Sequence, residues 1–267
     1  MYRDFDLIVH TIPTDKSVKI YPIYDVHIGS PECREEEFCE FINRVKDEEN
    51  AYVILGGDLL DNGVKSSVTN CYRAVYPPST QKRLMANLLA PIRDKILCSV
   101  SGNHEYRTSK ETDDSPVYDI MCRLDLEHLH RENMAFVKIT LGEQYTEEGG
   151  RINSKYRPSY VFFVSHGAGG GALSGGVINR NERAGLALDG VDLVLVGHSH
   201  KPMLSQPAKI VVDARNNKVS VVPFKVVVAS SWLDYGDYAA RKMLLPTSRC
   251  LQTINLSAYY KEITVTM

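Results

Sequence analysis

Five times along this chain, an apolar run of strand length stops at a polar cluster carrying histidine, aspartate or asparagine. Residues 18–24 run into Asp25-Val26-His27, and residues 51–55 into Gly56-Gly57-Asp58. Residues 96–101 run into Gly102-Asn103-His104-Glu105, residues 160–165 into His166-Gly167, and residues 191–196 into Gly197-His198-Ser199-His200. Runs rich in Val, Ile, Leu and aromatic residues, stopped by Gly, read as buried strands. Helical spacing separates the early ones: Phe38, Phe41, Ile42 and Val45 within 34–49, Leu84, Leu88 and Leu89 within 80–89, Ile120 and Leu124 within 116–129. Strand alternating with helix predicts largely parallel pairing. Parallel pairing would gather the clusters at the carboxyl edge of one sheet, where open α/β sheets bind ligands.

After Met203 the texture changes. Residues 209–214, 218–231, 251–256 and 262–267 read as strands with short turns, and Asn216-Asn217 suits a hairpin turn. They predict a second, more antiparallel sheet stacked on the first. Residues 108–115 are charged and lack periodicity, and 142–158 reads as a projecting loop or hairpin with Glu147-Glu148-Gly149-Gly150 at its tip. No linker divides the chain, so 1–267 is expected to be a single domain.

Composition removes several function classes. The formal charge is −2, which leaves no chain-wide basic footprint for nucleic acid. The six cysteines form no C-x-x-C pair, so neither a zinc knuckle nor a disulfide framework is expected. The first residues lack the apolar core of a signal peptide, and no apolar run is long enough to span a bilayer. A cytoplasmic protein with free thiols and no membrane partner is expected.

Of eight histidines, His27, His104, His166, His198 and His200 sit in the strand-end clusters, accompanied by Asp25, Asp58, Asp61 and Asn103. Mixed carboxylate, imidazole and amide donors suit zinc, manganese, iron and related ions, and are odd for calcium or a thiolate site. Asp25 and His27 are two apart, as are His198 and His200, so each pair can point the same way from an extended end. Asp58 follows two glycines that let the backbone turn sharply. Seven ligand-type residues exceed what one transition metal takes and suit two ions sharing a bridging group, about 3.5–4 Å apart in phosphoester hydrolases.

The ordered set Asp25-Val26-His27, Gly57-Asp58-Leu59-Leu60-Asp61, Gly102-Asn103-His104-Glu105, His166 and Gly197-His198-Ser199-His200 resembles the signature of the calcineurin-like metallophosphoesterases. The resemblance implies an α/β fold, a four-layer α/β/β/α sandwich of two stacked mixed β-sheets flanked by helices. It implies two divalent ions (Mn, Fe, Zn, Ni or Co). Asp25, His27 and His200 would hold one, Asn103, His166 and His198 the other, and Asp58 would bridge both. His104 would act on the substrate or leaving group, oriented by Asp61. Elementary chemistry agrees. A hydroxide bridging two cations is a nucleophile at neutral pH, and a leaving alkoxide can take its proton from an imidazole.

The neighbours of the motifs refine the expectation. Protein serine/threonine phosphatases carry a phosphate-gripping Arg where this chain has Asn62, and another Arg where it has Ser101. Asn62 is accordingly read as facing the substrate, and the Gly-Asp-Leu-Leu-Asp form as closer to phosphodiesterases and repair-type nucleases. Those nucleases usually continue into a DNA-capping domain, and this chain stops at Met267. Tyr106, Arg107, Gly169 and Gly170 are the expected substrate contacts, the last two in the glycine-rich stretch after His166. Asn179, Arg180 and Arg183 read equally well as ligands of a phosphate or base and as an exposed helix start. Trp232 reads as packing, and His10, His128 and His130 as structural or exposed. The leading function is hydrolysis of a phosphodiester in a nucleotide or nucleic acid. The alternatives are a phosphomonoesterase acting on a small molecule or phosphoprotein, and a non-catalytic scaffold.

Overall fold

The computed structural model describes residues 3–65, 67, 71–142, 157–169 and 173–267. The first half runs β1 (Ile8–Ile12), β2 (Val18–Ile23), α1 (Glu35–Asp47), β3 (Ala51–Leu55), α2 (Pro78–Leu89), β4 (Ile96–Val100), α3 (Asn103–Thr112), α4 (Pro116–Arg123) and β5 (His130–Arg131). The second runs β6 (Met134–Leu141), β7 (Ser159–Ser165), α5 (Ser174–Leu186), β8 (Leu193–Val196), β9 (Met203–Ser205), β10 (Ala208–Asp213), β11 (Lys218–Pro223), β12 (Lys225–Val228), α6 (Asp237–Arg241), β13 (Thr253–Leu256) and β14 (Ile263–Thr266).

Two six-stranded mixed sheets result. One has the order β14-β13-β2-β3-β4-β5, parallel from β2 to β5, and the other β1-β6-β7-β8-β12-β9. Their inner faces share one core, in which Ile20, Val53 and Val100 meet Val137, Ile139, Phe162 and Leu193. Fully buried Tyr24 ties the sheets together, its hydroxyl donating to the Leu195 carbonyl at 3.1 Å. On the outer face of the first sheet, α1 buries Phe38, Phe41, Ile42 and Val45, the i, i+3, i+4, i+7 stripe of an amphipathic helix. Glu35, Glu36 and Glu37 occupy its first turn, where the helix dipole favours negative charge. α5 covers the second sheet through Val177, against Val194, Val196 and Val226. The four layers α/β/β/α are those expected.

Three expectations need correction. The late strands form no sheet of their own: β12 and β9 complete the second sheet, β13 and β14 extend the first, and β10–β11 is a separate hairpin. Its turn spans 214–217, with the Asp213 carboxylate accepting the N–H groups of Arg215 and Asn216. Residues 108–112 belong to α3, which needs only Glu105 and Thr108 buried to hold it in place. α2 begins with Pro78 in its first turn and turns Gln81, Met85, Ala86 and Leu89 inward, leaving Leu84 and Leu88 half-buried. Residues 143–156 lie outside those described, and with them the tip of the expected projection.

Candidate active site

The strand ends converge, but from both sheets. Asp25, Asp58 and Asn103 follow β2, β3 and β4 of the first sheet, and His166 and His198 follow β7 and β8 of the second. The expectation of one sheet edge is therefore replaced by a seam between two. Backbone hydrogen bonds continue the pairing past the strand ends: Asp25 N–H to the Gly57 carbonyl at 3.1 Å, His27 N–H to the Asp58 carbonyl at 3.0 Å, and Gly197 N–H to the His166 carbonyl at 2.9 Å.

Backbone strain concentrates here. Asp25, His27, Asp58, His198 and His200 all have positive φ, between 50° and 67°. Non-glycine residues seldom adopt that region, and each such conformation costs about 1–3 kcal/mol unless its surroundings enforce it. Gly102 shows the closeness of the packing: a Cβ there would stand 2.1 Å from Asp58 Oδ1.

Among the described residues, three donor groups could hold a metal ion: Asp25 with His27 and His200, Asp58 with His166 and His198, and His27 with Asp58 and His104. The Nε2 atoms of His27 and His200 are 3.4 Å apart. Two ligands on one ion at about 2.1 Å with a tetrahedral angle would have about that spacing. Asp58 Oδ2 lies 3.2 Å from His166 Nε2 and 3.8 Å from His27 Nε2, so one carboxylate faces both sides of the cluster. Asn103 Oδ1 and His198 Nδ1 approach His166 Nε2 at 3.1 and 3.2 Å. Asp25 Oδ1 is the deciding atom. It is fully buried, lies 3.4 Å from His200 Nε2 and 3.9 Å from the Nε2 atoms of His27 and His166, and has no hydrogen-bond partner. A buried carboxylate oxygen left in that state is costly unless a cation shares it. The donor set fits divalent metal.

Charge follows the same arrangement. Burial, with the neighbouring histidines, holds His27 well below the usual imidazole range, leaving its nitrogen lone pair available. Burial would raise Asp58, but the imidazoles of His166, His104 and His27 outweigh it and keep the carboxylate ionised. Burial opposes charge on His166 as well, yet Asp58 and Asp25 carry it up to about 10.

The calcineurin-like phosphoesterase family model matches residues 23–202, a span that takes in every one of these donors. The chain belongs to the calcineurin-like phosphoesterase family. It is a metal-binding hydrolase of phosphoric esters. No curated protein matches its sequence. Among solved structures it is similar to a predicted phosphoesterase from Streptococcus pneumoniae TIGR4, with 12% identity over 93% of this chain and 88% of that one and a TM-score of 0.35. It is also similar to a metallophosphoesterase from Sphaerobacter thermophilus, with 14% identity, 93% and 87% coverage and a TM-score of 0.37.

Other expected site residues of this phosphoesterase fall as follows. His104 borders the cluster, its Nε2 3.9 Å from Asp58 Oδ2 and its Nδ1 2.6 Å from the Asp61 carbonyl. Tyr106 is half exposed on the first turn of α3, and Arg107 Nη1 is 3.3 Å from His104 Nδ1. Gly169 is in the loop after His166, where Arg180 donates to the Ala168 carbonyl at 2.6 Å. Arg180 thus braces the loop from α5. Gly170 lies outside the described residues. The Trp232 ring packs against Phe38 and Phe41, and its backbone N–H donates to the Asp25 carbonyl at 3.0 Å. His10 and His130 are bonded to Leu97 and Ser99 away from the cluster.

Asn62 does not face a substrate. It is 1% exposed, and its amide donates to the His104 carbonyl at 2.8 Å and to Thr108 Oγ1. Glu105 is the residue that motif reading passed over. Fully buried, its carboxylate accepts the N–H groups of Asp58, Leu60 and Gly102 at 2.9–3.0 Å and so fixes the loop that carries Asp58. Burial, with Asp58 nearby, pushes it up to about 7. Its place three residues after Gly102 is the spacing of a helix capping box, a signal present in the sequence.

Proposed function

We propose that this enzyme hydrolyses phosphodiester bonds of a nucleotide or nucleic-acid substrate with two divalent ions. Asp25, His27 and His200 would hold one ion, and Asn103, His166 and His198 the other. Asp58 would serve both. The single observation that carries the metal assignment is the buried Asp25 Oδ1, which makes no hydrogen bond and lies 3.4–3.9 Å from three imidazole nitrogens. Bound ions would supply Lewis acidity and a nucleophilic water at neutral pH.

The chain's own residues supply the rest. His104 is placed to give a proton from Nε2 to the leaving oxygen as the P–O bond breaks and its electron pair passes to that oxygen. Arg107 and Tyr106 on α3 would contact the substrate, together with Gly169 in the loop after His166. The diester reading is supported by the two positions where protein phosphatases carry arginine. Neither position supplies a cation for a dianionic monoester: Asn62 is turned away from the cluster toward α3, and Ser101 is buried and neutral. The test compares bis-p-nitrophenyl phosphate, p-nitrophenyl phosphate and single-stranded DNA after metal reconstitution. Higher kcat/KM on the diesters is expected. Activity confined to the monoester would overturn the substrate assignment and leave the metal site standing.

A further inference from the structure

Gln81 is an uncharged polar side chain on the inward face of α2, with no exposed surface. Its Oε1 accepts the Asn62 backbone N–H at 2.8 Å, and its Nε2 donates to the Tyr76 carbonyl at 2.7 Å. Gly29, two residues past His27, packs directly on this amide. Its φ is +95°, and a Cβ there would stand 2.4 Å from Gln81 Nε2. One buried amide therefore touches the loop after β2, the loop after β3 and the segment leading into α2.

Asn62 carries the contact onward. Its φ of 45° lies in the left-handed region, which Asn tolerates better than most side chains, and the Gln81 bond to its N–H helps hold it there. Its own amide reaches α3 at two points, the His104 carbonyl and Thr108 Oγ1. His104 is thus held twice by consecutive residues. The Asp61 carbonyl accepts from the ring Nδ1, and the Asn62 amide donates to the His104 carbonyl. The side-chain amides of Gln81 and Asn62 bond to these backbone and hydroxyl partners rather than to the donor cluster.

We infer that Gln81, Asn62 and Thr108 are positioning residues for His104, with Gln81 acting through Asn62 to fix the imidazole over the metal cluster. The inference rests on the proposed role of His104 as proton donor. Buried polar side chains on a helix face are retained against apolar packing only where every donor and acceptor is used. Here one bond of Gln81 ends on Asn62, in the segment that orients the ring, and the other on the Tyr76 carbonyl. Displacement of a catalytic group by about 1 Å costs on the order of a hundredfold in rate.

The test uses metal-loaded enzyme and two diesters, bis-p-nitrophenyl phosphate and a dinucleotide whose leaving group is an alkoxide. Asn62→Ala and Gln81→Met should lower kcat on the dinucleotide by about 10–100-fold. On the nitrophenyl diester the loss should be a few-fold, with KM and metal content retained. Thr108→Val should follow them, and Thr108→Ser, which keeps the hydroxyl, should restore turnover; this pair carries the test if the Gln81 variant does not fold. In a His104→Ala background, Asn62→Ala should add nothing. Equal losses on both diesters, or an additive loss in that background, would overturn the positioning role alone. A His104→Ala enzyme with no leaving-group dependence would overturn the proton-donor assignment and this proposal with it.

Discussion

The ring Nδ1 of His104 lies 2.6 Å from the backbone carbonyl oxygen of Asp61 and 3.8 Å from its carboxylate. The carbonyl bond places the proton on Nδ1 and turns Nε2 toward Asp58. The family resemblance points to the Asp61 side chain as the orienting group, whereas in this chain the main chain makes the short bond.

His104→Ala should cut turnover on a diester with an alkoxide leaving group by about 10²–10⁴, the scale of general acid catalysis. Metal content, read by elemental analysis, should barely change. Loss of metal would mean that His104 is a ligand, as its grouping with His27 and Asp58 also permits.

Asp61→Asn should cost far less than His104→Ala, about tenfold or under, because the backbone carbonyl remains to hold the ring. The comparison is of kcat on the same alkoxide diester. Equal losses in the two variants would show that the carboxylate does the orienting.

Glu105→Ala should destabilise the fold strongly. It strands the N–H groups of Asp58, Leu60 and Gly102 in a dry interior, at about 1–3 kcal/mol for each unsatisfied group. Urea unfolding should register a loss of at least about 3 kcal/mol, and metal affinity should fall with it because Asp58 loses its anchor. Unchanged stability would contradict the role given to this carboxylate.

The five strand ends were legible because buried parallel strands are apolar throughout and must stop where polar groups begin. Which sheet each strand joins was not. β7 and β8 have the same apolar texture as β2 and β3, and nothing within a run encodes its partner. The inward turn of α2 was hidden for a related reason. Leu84 and Leu88 are the more apolar residues, but Gln81 is drawn inside by its bonds to Asn62 and Tyr76. The gathering of His and Asp donors in one cluster was readable from residue types and spacing. Asn62 was misread because a motif fixes the backbone position of a residue and leaves the direction of its side chain open.

Glu132 should make a visible contribution to acid sensitivity. Its carboxylate lies 3.3 Å from His130 Nε2 and accepts from Ser115 Oγ at 3.2 Å, and the His130 contact, opposed by burial, holds it below its usual 4.5. A carboxylate with a depressed folded-state pKa stabilises above its unfolded value, and that stabilisation is lost as pH falls through the folded one. Wild type should therefore exceed Glu132→Gln in stability near pH 6, and the difference should shrink below about pH 4.5. A difference that stays constant from pH 6 to pH 3 in urea titrations would contradict the linkage.

The central claim is a pair of ions sharing Asp58, and their number per chain tests it most directly. Apo protein saturated with manganese and freed of excess metal should retain two ions by elemental analysis. Asp58→Asn should lower the affinity for both, since its carboxylate faces His27 on one side and His166 on the other. Retention of one ion or none by the wild-type chain, or loss of a single ion in the Asp58 variant, would contradict the account.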